Sequence, residues 1–268
     1  MDQTILITGS TDGVGRLTAS KLAKEGYTVI VHGRNPQKLA DVVEEIKAST
    51  GNEKVLGFVA DFSDLAAVKK MAGQIKEKLA GLDVIINNAG VFNSAVQQNE
   101  DGWDMRFVVN YFAPYLLTHS LLPVLQSSAD ARIINLSSAA QERIDYDLMQ
   151  GKKKVASERN AYGQSKLAIL MWSFHLSTQH NDITIIPVNP GSLLDTNMVR
   201  EAYGKSWSKP EKGANIVFDL ATAPKYKGVS GQYFDNDQGS FGPAHPDAYK
   251  DAEIRKLLAA TEALLSGT

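Results

Sequence analysis

Short apolar runs that do not alternate with polar residues constrain the fold of this chain most strongly. Three of them occupy positions 5–7, 29–31 and 84–86, and each is followed within two residues by glycine or asparagine. A strand that is apolar on both faces is typical of a parallel sheet covered by helices on both sides. The sequence therefore predicts an α/β protein.

Longer segments with helical periodicity separate the strand-like runs. Strands are predicted at 4–8, 28–32, 54–60, 84–87, 131–136, 184–188 and 231–234, and helices at 15–25, 36–48, 65–79, 103–125, 162–178, 212–223 and 248–265. This alternation implies right-handed crossovers and a doubly wound, mostly parallel sheet of about seven strands. Because no Pro/Ser-rich linker or internal repeat interrupts it, residues 1–268 are predicted to form one domain.

Charge and composition exclude several classes of protein. The 28 basic and 30 acidic side chains give a net charge of -2, whereas a nucleic-acid binder needs a basic excess or stripe. The absence of cysteine excludes disulfides, thiolate metal sites and a cysteine nucleophile. The five histidines show no tight metal-binding spacing, so no metal is predicted.

Membrane and export signals are also not expected from the sequence. No apolar run approaches the ~18 residues of a membrane span. The first predicted strand follows the initial methionine almost at once, which leaves no room for a signal peptide. We therefore expect a cytoplasmic protein without a membrane anchor.

The first predicted strand leads through a glycine-rich turn into a helix. The turn reads Thr8-Gly9-Ser10-Thr11-Asp12-Gly13-Val14-Gly15. Glycines let a phosphate approach main-chain N–H groups, and a helix N-terminus adds partial positive charge. In this strand–turn–helix context the motif predicts a nucleotide site, and a plain turn is the alternative.

The end of the second predicted strand bears on the choice of cofactor. An acidic residue there would hold the adenosine ribose 2′-OH and select NAD. This chain has Gly33, Arg34 and Asn35 instead. Gly33 leaves space and adds no charge, and the planar guanidinium of Arg34 suits a 2′-phosphate. The pattern favours NADP(H) over NAD(H), with a solvated arginine as the alternative.

Further polar motifs follow the later strands in a fixed order. They are Asn87-Asn88-Ala89-Gly90, Asn110, Ser137-Ser138, Tyr162 with Lys166, and Pro190-Gly191. Tyr162 and Lys166 are four residues apart, so they share one face of a helix. The ordered set resembles the short-chain dehydrogenase/reductase family over nearly the whole chain. The motifs Tyr162-Gly163-Gln164-Ser165-Lys166-Leu167-Ala168 and Gly231-Gln232-Tyr233-Phe234 resemble its retinol-dehydrogenase-like branch, although the membrane anchor of many retinol dehydrogenases is missing.

The resemblance implies a single Rossmann-type domain that transfers a hydride between a nicotinamide and a small-molecule carbonyl or alcohol. It assigns proton exchange to Tyr162, support of Tyr162 and of the nicotinamide ribose to Lys166, orientation of the reacting oxygen to Ser138, and a bound water to Asn110. The residues expected to bind the cofactor are Gly9, Thr11, Asp12, Gly13, Val14, Gly15, Arg34, Asn35, Asp61, Phe62, Asn88, Ala89, Gly90, Tyr162, Lys166, Pro190, Gly191 and Thr196.

One departure from the family pattern lies between Ser138 and Tyr162, which are separated by 24 positions. The extra polar residues at 141–160 agree with the retinol-dehydrogenase-like branch, but they leave open whether Ser138 or Ser137 faces the substrate. Segments 139–160 and 192–210 are predicted to wall the substrate cleft. Segment 141–160 is expected to bury little surface and to form a mobile lid that turns residues 144–149 inward and Lys152, Lys153 and Lys154 outward; a passive loop is the alternative.

Other functions fit the sequence less well. The sequence lacks a Gly-x-Ser-x-Gly elbow and a complete P-loop, which excludes a typical serine hydrolase and a P-loop nucleotidase. A non-catalytic NADP-sensing or scaffold protein stays open, because fold alone does not fix function. Such proteins usually lose the tyrosine or the lysine, and this chain keeps both. Trp172 and Phe174 are expected to pack within the protein or to form the interface of a homo-oligomer.

Overall fold

A computed structural model describes residues 3–204 and 207–267 of the chain. Its strands are β1 (Thr4–Ile7), β2 (Thr28–Gly33), β3 (Val55–Val59), β4 (Val84–Asn87), β5 (Arg132–Leu136), β6 (Thr184–Asn189), β7 (Phe234–Asp235) and β8 (Ser240–Phe241). They form one sheet in the order β3-β2-β1-β4-β5-β6-β7-β8, and all neighbours are parallel except β7 and β8. The predicted doubly wound α/β fold is confirmed.

The sheet has eight strands where about seven were predicted. The additional strand is β8, which turns back from β7 as an antiparallel hairpin at the edge. The seventh strand also begins later than predicted, at Phe234 instead of residue 231. Gly231 has a φ of 67°, in the left-handed region, so the extended backbone cannot start there.

Nine helices flank the sheet in the described part of the chain, besides two short 3₁₀ turns. They are α1 (Gly13–Lys24), α2 (Pro36–Thr50), α3 (Leu65–Lys78), α4 (Met105–Leu125), α5 (Tyr146–Met149), α6 (Glu158–Gln179), α7 (Asn197–Tyr203), α8 (Pro210–Thr222) and α9 (Asp251–Leu265). The two stretches without a predicted element contain α5 and α7. Lys205 and Ser206, in the predicted cleft segment 192–210, lie outside the described residues.

Polar side chains fix where several helices begin. Asn35 accepts a hydrogen bond from the backbone N–H of Lys38 at 2.9 Å and precedes Pro36, the first residue of α2. Ser157 accepts from the N–H of Asn160 in the same way. Helix α6 therefore begins at Glu158, four residues before its predicted start, and Tyr162 lies in its second turn.

Both faces of the sheet are buried, as the apolar runs predicted. Side chains of alternate strand residues enter two separate clusters; Leu6 and Ile85 pack with α3, α4, α6 and α9, and Ile5 and Ile86 with α1, α2 and α8. The carboxyl ends of the parallel strands consequently meet at one edge, where ligands bind in folds of this kind.

Helix α4 contains a π-turn at Val108–Phe112, with Asn110 at its centre. Such turns are rare and occur frequently at functional sites. The buried hydroxyl groups of Tyr111 and Thr261 lie 2.9 Å apart and join this turn to α9. Asn110 is therefore held in an irregular turn that the last helix supports.

Helix α4 is also long and apolar enough to cross a membrane by length and composition, contrary to the expectation that no run approaches that length. It has 21 residues, and 67% of its most apolar window is buried inside the protein. Among the described residues it is the one helix that passes this test. A core helix of a globular protein has the same composition, and the burial of α4 agrees with that role.

Candidate active site

The glycine-rich turn between β1 and α1 is braced by the end of β4. A Cβ atom on Gly9 would lie 2.7 Å from the Cα of Ala89, and one on Gly15 would lie 2.4 Å from the side-chain nitrogen of Asn88. That nitrogen donates to the carbonyl oxygens of Thr8 at 2.8 Å and Gly9 at 2.9 Å. The two predicted cofactor motifs thus form one packed unit that tolerates no larger residue at either glycine.

The start of α1 is arranged to hold an anion. The carboxylate of Asp12 accepts from the N–H of Gly13 at 2.8 Å. The N–H groups of Val14 and Gly15 lie in the first turn, where a helix has no acceptors of its own. These donors fit the pyrophosphate of a dinucleotide, which binds at helix N-termini of this kind.

Two further side chains reach Asp12. Its Oδ2 accepts from Lys38 Nζ at 3.1 Å and from Asn197 Nδ2 at 2.6 Å. Partial burial opposes ionisation, but the hydrogen bonds and charge of these partners hold the pKa of Asp12 below its ordinary value. Lys38 offsets the negative charge beside the expected phosphates, and Asn197 ties α7 to the turn.

His32 lies beneath the glycine-rich turn and joins it to the end of β3. Its Nδ1 accepts from the N–H of Gly9 at 3.0 Å, and its Nε2 lies 3.0 Å from the carbonyl oxygen of Ala60. The imidazole stacks on the ring of Phe62 with 4.3 Å between centroids. Since Nδ1 is the acceptor, the ring proton is on Nε2. Burial favours this neutral form and lowers the pKa of His32 to about 4.

The predicted 2′-phosphate corner is only partly as expected. A Cβ atom on Gly33 would lie 2.5 Å from Cγ2 of Thr11, so Thr11 fills the space that Gly33 was expected to leave for a phosphate. Arg34 is exposed at the end of β2, and Asn35, which caps α2, follows it. Packing against Thr11 therefore explains why position 33 is a glycine. The charge of Arg34 remains available to a ligand.

Two of the residues expected to bind the cofactor, Asp61 and Phe62, lie after β3. Asp61 is exposed, and its Oδ1 accepts from the backbone N–H and the hydroxyl group of Ser63 at 2.9 and 2.8 Å. The side chain of Phe62 is buried against His32. Phe62 thus offers its backbone, and not its ring, to a cofactor.

The buried ammonium group of Lys166 lies close to Tyr162. Its Nζ donates to the carbonyl oxygen of Leu136 at 2.8 Å and is 5.6 Å from the centroid of the Tyr162 ring. Burial lowers the pKa of Lys166 to about 8. A Cβ atom on Gly90 would lie 3.4 Å from Nζ, so the absence of a side chain there keeps space beside the ammonium group.

Asn110 connects the loop after β4 to α6. Its Oδ1 accepts from the N–H of Val91 at 2.7 Å, and its Nδ2 donates to the carbonyl oxygen of Val91 at 3.0 Å and to the hydroxyl oxygen of Ser165 at 2.9 Å. Both hydrogens of the amide are therefore used within the protein. Its side chain therefore fixes Val91 in the loop after β4 relative to Ser165 on α6.

The two consecutive serines after β5 differ in their surroundings. Ser137 is buried, and its hydroxyl group donates to the carbonyl oxygen of Lys166 at 2.8 Å. Ser138 is half-buried, and its Oγ accepts from the N–H of Ala140 at 3.1 Å. A hydroxyl group that accepts from a backbone amide keeps its own proton to donate. This geometry favours Ser138 as the donor to a substrate oxygen.

Two side chains that the sequence reasoning did not single out hold the backbone of Ser138. The hydroxyl group of Tyr233 and the side-chain amide of Gln141 donate to its carbonyl oxygen at 3.1 and 2.9 Å. Tyr233 is part of the tail motif by which the chain resembles one branch of the family. The sequence around Tyr233 did not indicate that its hydroxyl group contacts Ser138, which lies 95 positions earlier.

The segment after β6 packs near the glycine-rich turn and Gly90. Gly191 has a φ of 126°, and its N–H donates to the side chain of Asn189 at 3.1 Å. Thr196, which caps α7, lies 3.3 Å from the position of a Cβ on Gly13. The methyl group of Met198 lies 3.8 Å from the corresponding position on Gly90. Helix α7 thus reaches both the glycine-rich turn and the neighbourhood of Lys166.

Pro190 precedes this turn, and its carbonyl oxygen accepts from the side-chain amide of Asn236 at 2.8 Å. The expected cofactor-binding residues Pro190, Gly191 and Thr196 therefore all lie in the segment between the end of β6 and the start of α7.

Segment 141–160 lies beside α6, but it is better packed than expected. Met149 is fully buried and Leu148 nearly so, which contradicts the expectation that the segment buries little surface. A Cβ atom on Gly163, next to Tyr162, would lie 2.7 Å from Cγ of Glu142. Lys152, Lys153 and Lys154 are exposed as predicted. That the segment acts as a lid stays a prediction.

No group of three or more His, Cys, Asp or Glu side chains is arranged to hold a metal ion in the parts of the chain that the structure describes. The strand ends instead bring together a tyrosine, a buried lysine, a serine and a braced glycine-rich turn. A family model described as short chain dehydrogenase matches residues 3–206. The chain belongs to the short-chain dehydrogenase family.

Relatives place the chain in the retinol-dehydrogenase-like branch of the short-chain dehydrogenase family. It is 34% identical to human retinol dehydrogenase 13 over 99% of this chain and 85% of the relative. It is 31% identical to human polyprenol dehydrogenase over 88% of this chain and 78% of the relative. A short chain dehydrogenase from Escherichia coli CFT073, solved in complex with NADPH, has a TM-score of 0.73 and 26% identity, covering 87% of this chain and 96% of that one.

Proposed function

We propose that this short-chain dehydrogenase is an NADP(H)-dependent oxidoreductase that interconverts a small-molecule carbonyl and its alcohol. The observation that carries the proposal is the buried ammonium group of Lys166, 5.6 Å from the ring of Tyr162 and bonded to the strand end that leads to Ser138. An isolated Tyr-x3-Lys pair has many structural explanations. A buried lysine beside a half-buried tyrosine at the ligand-binding edge of a parallel sheet has few.

Tyr162 would exchange the proton with the reacting oxygen. A free tyrosine has a pKa of about 10, which is too high for a base near neutral pH. A nearby positive charge favours the phenolate and lowers that pKa. Although burial lowers the pKa of Lys166 to about 8, its side chain stays mostly protonated at pH 7 and supplies this charge.

Ser138 would donate its hydroxyl proton to the same oxygen and orient it, because its Oγ already accepts from Ala140. Asn110 is expected to position a water. Both amide hydrogens of its side chain are used by Val91 and Ser165, so that amide would donate no hydrogen bond to the water and is assigned to fixing the loop after β4 against α6.

The nicotinamide cofactor, when bound, supplies or accepts the hydride. The phosphates and riboses of the cofactor would lie at the glycine-rich turn and at Asn88, Ala89 and Gly90. Its nicotinamide would lie near Pro190, Gly191 and Thr196. Its adenine would lie near Asp61. Arg34 supports a preference for NADP(H) over NAD(H), since a 2′-phosphate would gain a charge-assisted hydrogen bond. The NADPH complex of the Escherichia coli relative agrees with this preference.

The substrate class is suggested by the names of the relatives. Retinol and polyprenol are both isoprenoid alcohols. We therefore place retinal and short polyprenals at the head of a panel of aldehydes and ketones. We retain a cytoplasmic location and a homo-oligomeric state as predictions, which cell fractionation and light scattering would test.

A non-catalytic NADP sensor on the same fold is the second candidate. The experiment that separates the two is the oxidation of NADPH, followed at 340 nm, with each member of the panel. The proposed enzyme consumes NADPH with at least one carbonyl. A protein that binds NADPH in a direct titration but consumes it with none of them is a sensor.

A further inference from the structure

A buried arginine lies one helical turn before Asn110. The side chain of Arg106 has no exposed surface, and that of Asp104 is 2% exposed. Arg106 Nε donates to Asp104 Oδ1 at 3.1 Å, and Nη2 donates to Oδ2 at 2.5 Å. Burial of a charge is unfavourable unless it is paired and hydrogen-bonded. This position thus holds an arginine where an apolar residue would suit the surrounding core.

The remaining donors of Arg106 reach two other elements. Nη2 donates to Gln97 Oε1 at 2.8 Å, in the loop that follows β4. Nη1 donates to Oε2 of Glu158, the first residue of α6. Gln97 Nε2 completes a ring by donating to Glu158 Oε1 at 3.1 Å. We call Gln97, Asp104, Arg106 and Glu158 the Arg106 cluster.

Of the two elements that the Arg106 cluster holds, α6 carries Tyr162 and the loop after β4 contacts it. Glu158 is one turn before Tyr162 on α6, so their side chains lie on the same helical face. The loop that contains Gln97 also contains Phe92, whose ring centroid lies 4.8 Å from that of Tyr162. The cluster therefore fixes the helix that carries Tyr162 and the ring that packs against it.

We propose that the Arg106 cluster is a positioning device for Tyr162, with Arg106 and Glu158 as its positioning residues. The proposal rests on the proposed function, which assigns proton exchange to Tyr162. The two residues act through α6 and Phe92 and need not contact substrate or cofactor. Small displacements of a catalytic group reduce rates strongly, because a misplacement of ~1 Å can cost about 100-fold.

Glu158→Ala tests the proposal without threatening the fold. The side chain of Glu158 is 38% exposed, and its loss leaves Arg106 paired with Asp104. We expect about a 10- to 100-fold loss of kcat with the best carbonyl of the panel, on the scale of a displaced catalytic group. The Kd for NADPH should stay within about twofold, since the hydrogen bonds of the cluster link the loop after β4, α4 and α6 and do not include the glycine-rich turn. Glu158→Gln keeps an oxygen acceptor and should restore most of kcat.

Glu77→Ala is the matched control, because it removes an exposed glutamate carboxylate from α3, which carries none of the predicted site residues. It should leave kcat and the Kd for NADPH unchanged. Equal losses in Glu77→Ala and Glu158→Ala would overturn the proposal. So would a Glu158→Ala variant that is less stable to heat but keeps the kcat of the unmodified protein.

A second measurement needs no turnover. With 3-fluorotyrosine incorporated at position 162, the ¹⁹F resonance reports the surroundings of that ring. We expect Glu158→Ala to shift or broaden this resonance and Glu77→Ala to leave it unchanged; an unmoved resonance in Glu158→Ala would overturn the proposal. If the unmodified protein reduces no carbonyl, the proposed function fails, while the resonance still decides whether the cluster positions Tyr162.

Discussion

The imidazole of His32 and the backbone of Gly9 are joined by a hydrogen bond of 3.0 Å in which the ring nitrogen is the acceptor. Only a neutral His32 makes this bond. Protonation would place a second donor against the N–H of Gly9, in the turn that is expected to hold the cofactor phosphates.

This relationship predicts a loss of stability in acid. The pKa of His32 is about 4 in the folded protein and about 6.5 when unfolded. Because the folded pKa is the lower one, neutral His32 makes its full contribution to the free energy of unfolding above pH 6.5. That contribution declines as the pH falls toward 4. Over that interval the free energy of unfolding should fall by about 3 kcal/mol on account of His32.

Urea denaturation at pH 7.5 and 4.5 would measure this decline. His32→Asn keeps an oxygen acceptor for Gly9 but does not titrate, so the difference between the two pH values should shrink by about 2–3 kcal/mol. His175→Asn, a half-buried histidine on α6, is the control. An unchanged pH dependence in His32→Asn would contradict the role of His32.

Tyr162→Phe should remove most turnover and leave the binding of NADPH nearly unchanged. The substitution deletes the hydroxyl group that exchanges the proton but keeps the ring that packs on Phe92. General acid–base catalysis contributes about 10²- to 10⁴-fold, which sets the expected loss of kcat. Tyr115→Phe provides a control for loss of a tyrosine hydroxyl group elsewhere. Activity near that of the unmodified protein would exclude Tyr162 from the mechanism.

Arg34→Ala should weaken the binding of NADPH and leave that of NADH almost unchanged. A charge-assisted hydrogen bond contributes about 1.5–3 kcal/mol, or roughly ten- to hundredfold in Kd. Fluorescence titration with both cofactors measures the two affinities. Arg255→Ala on α9 removes an equally exposed charge as a control. Equal affinity of the unmodified protein for the two cofactors would refute a preference for NADP(H).

Gly33→Asp is unsuitable for switching this preference. The Cβ atom of the new aspartate would lie 2.5 Å from Cγ2 of Thr11. The variant would therefore distort the glycine-rich turn and weaken the binding of both cofactors.

The two adjacent serines should respond differently to substitution. Ser138→Ala removes the proposed donor to the substrate oxygen and should lower kcat by about 10²-fold or more, as for loss of an oxyanion donor. Ser137→Ala removes a buried hydrogen bond to the backbone of Lys166 and should lower stability by about 1–3 kcal/mol. Thermal unfolding and steady-state kinetics of both variants distinguish them. The reverse pattern would assign the substrate contact to Ser137.

The sequence was informative where one local pattern decides the outcome. The parallel sheet follows from strands that are apolar on both faces, and the strand ends carry Gly90, Ser138 and the other motifs to one edge. A local pattern could not decide which of Ser137 and Ser138 faces the substrate. Adjacent residues at a strand end point in opposite directions, and an inserted segment follows these two.

Contacts between distant residues explain what was missed. Arg106 donates to Glu158, which is 52 positions away. From the sequence, a single charge in an apolar helix does not reveal such a partner. Residues 144–149 were expected to face inward, but the full burial of Met149 exceeds the little buried surface expected of a segment so rich in charge. Gly33 was interpreted as space for a phosphate, whereas the side chain of Thr11, 22 positions earlier, fills that space.

The hydroxyl pair formed by Tyr111 and Thr261 has a consequence for synthesis of the chain. The two residues are 150 positions apart, and Tyr111 belongs to the π-turn that holds Asn110. On the ribosome, the sheet strands that flank this turn are all made before its partner on α9. The nascent protein therefore carries the π-turn that contains Asn110 without its final support until residue 261 has emerged, and any premature stop before that position leaves the turn unsupported.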